Sequence, residues 1–167
     1  MILFTLGTTD YPFDRAINWL KELLQREIID EPVLLQHGAT SVANFSHSKL
    51  TSVVGLSRQE MTTAVKNASL VISHAGQGST RMLAELSASF VLLPRLERYR
   101  EHVDDHQLLF ARAVEKLGVH YCTELNQLIA ATVSPPPAFQ GKLFDSSLLV
   151  DHLIAKYSRP REFATYE

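Results

Sequence analysis

One pattern recurs along the whole chain: short runs of apolar and β-branched residues alternate with longer stretches whose apolar residues fall on one helical face. Such alternation is the mark of βα units winding into a parallel sheet, because two parallel neighbours need a crossover long enough to hold a helix. Strands are predicted at Ile2–Leu6, Val33–Gln36, Ser52–Val54, Leu70–Ser73, Phe90–Leu93 and Val119–Cys122. Helices are predicted at Phe13–Arg26, Ser57–Asn67, Ser79–Leu86, Asp104–Leu117 and Glu124–Ala131. The first helix places Ile17, Leu20, Leu24 and Ile28 on one side, as a helix covering a sheet requires. Ser57 and Glu60 form an S-x-x-E capping box, and Gly118 follows Leu117 where a helix closes. The expected class is therefore α/β, a parallel sheet with helices on both faces.

With 167 residues, 46% hydrophobic and 20% charged, the chain supports one domain with a full core, assigned to residues 1–133. Three consecutive prolines then interrupt the alternation, so residues 134–167 are assigned to a Pro-rich linker, a last helix near Ser146–Tyr157 and a tail from Arg159. This segment is expected to pack on the domain or on a partner. The 16 basic and 18 acidic residues nearly cancel and form no basic run, which argues against nucleic acid or an anionic membrane as a direct partner. The lone Cys122, in an apolar run, is expected to be a buried inert thiol. The N-terminus lacks a basic leader, and no stretch approaches the ~20 apolar residues of a membrane span. A cytoplasmic protein is expected, either free or held at the inner face of a membrane by a partner.

In an open parallel sheet ligands bind beyond the carboxyl ends of the strands, so the residues following each strand carry the functional signal. Gly7-Thr8-Thr9 after the first strand permits a tight turn facing the crevice; an ordinary strand-to-helix turn capped by Thr9 or Asp10 remains the other reading. The run Ser73-His74-Ala75-Gly76-Gln77-Gly78-Ser79-Thr80 passes from strand to helix, and its glycines let a diphosphate approach unpaired N–H groups. It matches neither G-x-G-x-x-G nor the P-loop, and the other reading is a glycine-rich turn with Ser79 as N-cap. His74 orients this loop, contacts a ligand, or bonds a neighbouring backbone group. The polar segment from Pro94 to Gln107, with Glu101, His102, Asp104, Asp105 and His106, suits a hydroxyl-rich ligand but equally an acid-capped helix start. No metal is expected, because H-E-x-x-H is absent and no third ligand beside His102 and His106 is evident. No G-x-S-x-G elbow of a serine hydrolase occurs.

The strings F-T-L-G-T-T, V-I-S-H-A-G-Q-G-S, L-P-R and E-H-V-D-D-H-Q together resemble the glycosyltransferase family twenty-eight C-terminal domain, and G-T-T-D-Y-P-F-D-R resembles its stand-alone bacterial small subunits. The resemblance runs from Met1 to about Ala131. It implies a Rossmann-like lobe equivalent to the C-terminal donor lobe of a GT-B enzyme, holding a UDP-sugar, with a lipid-linked saccharide as acceptor. A membrane-anchored subunit would supply the acceptor-binding lobe. Gly76, Gly78, Ser79 and Thr80 would hold the diphosphate, and Gly7, Thr8 and Thr9 would line the cleft. Glu101, His102, Asp105, His106 and Gln107 would meet the donor sugar, with His74, Glu101 and Gln107 as the catalytic candidates. The family's ribose-binding glutamate is replaced by Met82, for which Glu85 one turn later is the expected substitute, and G-K-P is changed to Ser87-Ala88-Ser89.

The expected reaction is inverting transfer without cofactor or covalent intermediate, the helix start at Gly76 stabilising the departing diphosphate. The replaced glutamate raises a second expectation, a non-catalytic nucleotide-sugar-binding or regulatory subunit. A non-hydrolysing epimerase ranks last because it needs a second lobe. The segment Leu143–Tyr157 is expected either to contact a partner or to strap the domain.

Overall fold

The computed structural model describes residues 1–143; the helix expected near Ser146–Tyr157 and most of the expected partner segment lie outside the described residues. Six parallel strands form one sheet: β1 (Ile2–Thr5), β2 (Val33–Gln36), β3 (Leu50–Val53), β4 (Leu70–His74), β5 (Phe90–Leu93) and β6 (His120–Tyr121). Their order is β3-β2-β1-β4-β5-β6, so the chain winds outward from β1 to one edge, returns to its other side at β4, and continues to the opposite edge. The helices are α1 (Asp14–Gln25), α2 (Arg58–Asn67), α3 (Gln77–Glu85), α4 (His106–Glu115) and α5 (Leu125–Val133), with a 3-10 turn at Glu97–Tyr99.

Strand alternation builds two cores. Ile2, Phe4, Leu70, Ile72, Val91 and Leu93 point to one face, where Ala16, Ile17, Leu20, Leu23 and Leu24 of α1 and Leu128 of α5 cover them. Leu3, Val71, Phe90 and Leu92 point to the other, against Ala64 and Val65 of α2, Leu83 and Ala84 of α3, and Ala111 and Val114 of α4.

Several boundaries differ from the expected ones: β3 runs Leu50–Val53 rather than Ser52–Val54, set by its pairing with β2, and β6 is reduced from Val119–Cys122 to His120–Tyr121. The expected face residue Ile28 lies beyond α1, which ends at Gln25; Glu27 takes a positive φ and Ile28 packs on the core from the following turn. Gly76, not Ser79, is the N-cap of α3. α4 starts at His106 rather than Asp104, because the Asp104 carboxylate accepts the His106 N–H and the Asp105 carboxylate accepts the Glu97 N–H. The Ser57–Glu60 capping box is formed. Gly118 turns the chain at φ +89° two residues after the C-cap of α4, donating its N–H to Glu115 O. After α5 the proline segment returns along the domain: Phe139 N–H donates to Ala88 O, and Ser89 Oγ donates to Pro136 O.

Candidate functional site

The strand order reverses between β1 and β4, and the crevice at their carboxyl ends is where an open α/β sheet takes a ligand. Gly7 leaves β1 at φ +79°, and its peptide is clamped by Gln36 of β2, which accepts the Gly7 N–H (3.2 Å) and donates to Gly7 O (2.9 Å). Gln36 also accepts from the Thr5 hydroxyl and donates to Val54 O, tying the ends of three strands together. The one mark of Gln36 in the sequence is an amide closing an apolar run, and its burial is seen only in the fold.

His74 closes β4, and its ring fills the gap between the two glycine turns. A Cβ at Gly7 would lie 2.7 Å from His74 Nε2 and one at Gly76 only 2.4 Å, so both glycines are required by the approach of this ring. Nδ1 faces Thr5 O at 3.3 Å, and since a carbonyl only accepts, Nδ1 carries the proton and Nε2 the lone pair. Burial holds the His74 pKa down at about 4, so the imidazole is neutral at neutral pH.

Beyond His74, α3 begins without a side-chain cap. The N–H groups of Gln77, Gly78 and Ser79 have no partner among the described residues, and a Cβ on Gly78 would meet nothing within 4 Å. This is an open, partially positive helix end able to take an anion. Thr80 does not join it: the side chain is fully buried and its hydroxyl donates to Gly76 O (2.9 Å), so it braces the turn from inside. Glu85 is also displaced from the group. It ends α3, eight residues or roughly 12 Å along the axis from Gln77, and its carboxylate accepts Arg81 Nε at 2.8 Å. Met82 packs instead against the apolar cluster on this face.

The segment after β5 is wired to the segment after β1 by two arginines. Arg95, 1% exposed, donates from Nη1 to Tyr11 O (2.8 Å), Pro12 O and Glu101 O, donates from Nη2 to Leu6 O (2.8 Å), and lies over the Phe13 ring. Burial lowers its pKa to about 10, leaving it charged at neutral pH. Arg15, in the first turn of α1, grips the Glu101 carboxylate through Nε (2.9 Å) and Nη2 (2.8 Å), with Nη2 also reaching Pro94 O. Glu101 further accepts the Leu96 N–H at 2.9 Å and is 2% exposed. Its oxygens are thus engaged inside the protein rather than offered to the crevice, because the guanidinium of Arg15 lies within reach. Gln107, also buried, accepts the Arg95 N–H at 3.2 Å. Both act as braces of the 94–107 segment. Nothing local in the sequence marks either arginine, because apart from Glu101 O, six residues from Arg95, their partners are 79 to 89 residues away.

The open part of the segment pairs a half-buried His102 with an exposed His106. His102 stacks on Tyr11 (5.5 Å) and meets His106 edge-on (4.4 Å), with Asp104 Oδ1 between their Nδ1 atoms. Asp104 is the third metal-ligating group that sequence reading did not place beside the histidines; the three donor atoms lie within 4.8 Å of one another. Each is already engaged: the Val103 N–H donates to His102 Nδ1, and Asp104 Oδ1 accepts from both the backbone and the ring of His106. The carboxylate of Asp104 is held below its usual range chiefly by the His106 ring bond. Thr8 is exposed and Thr9 half-buried beside the Gly7 turn. The structure therefore gathers Gly7–Thr9, His74, Gly76–Ser79 and His102–His106 at one end of the sheet. No helix of the described residues is long and apolar enough to cross a membrane.

The chain matches no curated protein sequence. Solved structures resemble it at the level of fold. The glycosyltransferase SnogD from Streptomyces nogalater aligns at 16% identity and TM-score 0.57 over 80% of this chain and 34% of that one. The glycotransferase of kitacinnamycin aligns at 15% identity and TM-score 0.57 over 78% and 33%. The Methanocaldococcus jannaschii UDP-GlcNAc 2-epimerase, solved in complex with UDP-GlcNAc and UDP, aligns at 15% identity and TM-score 0.57 over 93% and 45%. The chain thus spans less than half the length of each. The six-stranded parallel sheet is that of a GT-B C-terminal lobe, and the model of the glycosyltransferase family 28 C-terminal domain matches residues 1–136, so the chain belongs to that family.

Proposed function

We propose that this chain is the donor-binding subunit of an inverting glycosyltransferase that uses UDP-N-acetylglucosamine or a related UDP-sugar. The acceptor is a lipid-linked saccharide, and a membrane-anchored subunit supplies the acceptor lobe. The observation that carries the reading is the uncapped start of α3: three free N–H groups and an unobstructed Gly78 at the switch point, in a chain of this family. As the bond to the donor sugar breaks, negative charge accumulates on the diphosphate, and these fixed N–H groups stabilise it without reorganisation. The neutral His74 ring presents a lone pair at Nε2 on the crevice floor as an acceptor for a donor hydroxyl. Glu101 and Gln107 position the sugar-facing segment that carries His102, Asp105 and His106. Exposed Tyr11, Val54, Tyr99 and Val103 follow β1, β3 and β5 at the same end of the sheet, which suits a face closed by a second lobe.

Calorimetric titration with UDP and UDP-N-acetylglucosamine tests this, comparing wild type with Gly78→Asp. The new side chain enters open space, so it places a carboxylate at the anion site without a clash. Loss of binding in the folded variant supports the reading, and equal binding in both refutes the assignment of the site.

A second reading, a subunit that binds nucleotide-sugar without turnover, is favoured by Met82, which packs among apolar residues where the family carries a carboxylate. Sugar transfer by the chain reconstituted with its partner would eliminate it.

A further inference from the structure

On the α1/α5 side of the sheet, beyond β5 and β6, a cleft of about 660 Å³ opens between the start of α1, the 3-10 turn and the start of α5. Its walls include Asp14, Arg15, Asn18, Trp19, Tyr99 and Glu124. α3 covers the opposite face and begins at the end of β4, so the cleft and the anion site lie on different sides of the sheet, one to two strands apart.

We infer that this cleft binds a pyranose of the acceptor saccharide, so that the donor subunit itself contacts both substrates. The chemistry of the wall is that of a sugar site: aromatic side chains for the C–H surface of the ring beside separate donors and acceptors for its hydroxyls. Trp19 and Tyr99 supply the aromatic surface, held in place by the Arg15 guanidinium at 4.7 and 5.3 Å from their centroids. The carboxylate of Asp14, the amide of Asn18, the indole N–H of Trp19 and the phenol of Tyr99 have no hydrogen-bond partner among the described residues. Arg15 itself is committed to Glu101, Pro94 O and the two rings, and its Nη1 is buried, so it fixes the wall rather than offering a donor to the cleft. Facing carboxylates and guanidinium groups leave the cleft without a strong net charge, which disfavours a second diphosphate. That the sugar is the acceptor's rests on the donor reading above; that the cleft takes a sugar does not.

Trp19 is the chain's only tryptophan, so its fluorescence reports this cleft alone. The full chain is titrated with cellobiose and with N,N′-diacetylchitobiose, in the absence and presence of saturating UDP-N-acetylglucosamine. A saturable shift of Trp19 emission by a disaccharide, persisting when the nucleotide-sugar is bound, is the expected result. Asn18→Ala and Tyr99→Ala, which keep the tryptophan, should each weaken it by about tenfold or more, equivalent to ~1.4 kcal/mol. Competition between disaccharide and nucleotide-sugar would overturn the acceptor assignment, marking the cleft as part of the donor site. No saturable response to either disaccharide, while calorimetry still detects UDP, overturns the cleft and leaves the donor reading standing. A disaccharide response without UDP binding does the reverse.

Discussion

Replacing Arg15 by alanine tests the pair on which the crevice segment depends. The Arg15 side chain is 10% exposed and that of Glu101 3%, so neither charge is well hydrated. The substitution removes the two bonds to Glu101 and the one to Pro94 O, leaving the carboxylate with the Leu96 N–H alone. Removing one partner of a buried ion pair costs about 3–5 kcal/mol because the remaining charge stays desolvated. With a urea slope of roughly 2 kcal/mol/M, the unfolding midpoint should fall by roughly 1.5–2.5 M. Arg15→Met combined with Glu101→Leu should recover most of that loss, since both buried charges then disappear and apolar volume replaces them. Urea unfolding followed by circular dichroism measures all three proteins. A single-variant cost below about 1 kcal/mol, the range of exposed pairs, would refute the claim that the pair is buried and structural.

Three other outcomes follow from the same geometry. His74 binds its proton less tightly folded (pKa about 4) than unfolded (6.5), so between those values the unfolded state carries more protons; stability should fall as pH drops from about 6.5 to 4, and His74→Asn should flatten that dependence in pH-resolved thermal unfolding. Gly7→Ala must place a Cβ 2.7 Å from His74 Nε2 at φ +79°, and should cost more than the roughly 1–2 kcal/mol of left-handed strain alone, with weakened UDP binding by calorimetry. Burial pushes the Cys122 thiol up to about 12, so a disulfide reagent should label the native protein slowly and the urea-unfolded protein fast; equal rates would contradict its packing.

Local chemistry was legible in the sequence, and long-range pairing was not. β2 and β5 fall where their apolar runs do, and the Ser57 capping box forms because its groups are three residues apart. Gly7 is legible as a tight turn and Gly76 as a site of close approach, but not that His74 is what approaches both. The family resemblance assigns Glu101, Gln107 and Thr80 to a ligand, and polarity adds weight only for the 94–107 segment; the fold gives hydrogen bonds of all three to protein groups. Polarity in a sequence says that a partner exists; only the topology says which. Asp104 shows the same limit at short range, since a carboxylate between two histidines serves equally as a ligand and as a helix-start cap.

The bonds from Arg95 to Leu6 O and from Arg15 to Glu101 close loops of more than eighty residues, so the chain loses much of its conformational freedom before either forms. They join the exit of the first strand and the start of its crossover helix to the exit of the fifth strand, so the rim is held across the sheet by two side chains. The crevice rim is consequently the part of the molecule whose amides should exchange first when the domain loosens. A nucleotide seated there would draw its affinity partly from suppressing that opening, and would slow exchange on both segments together.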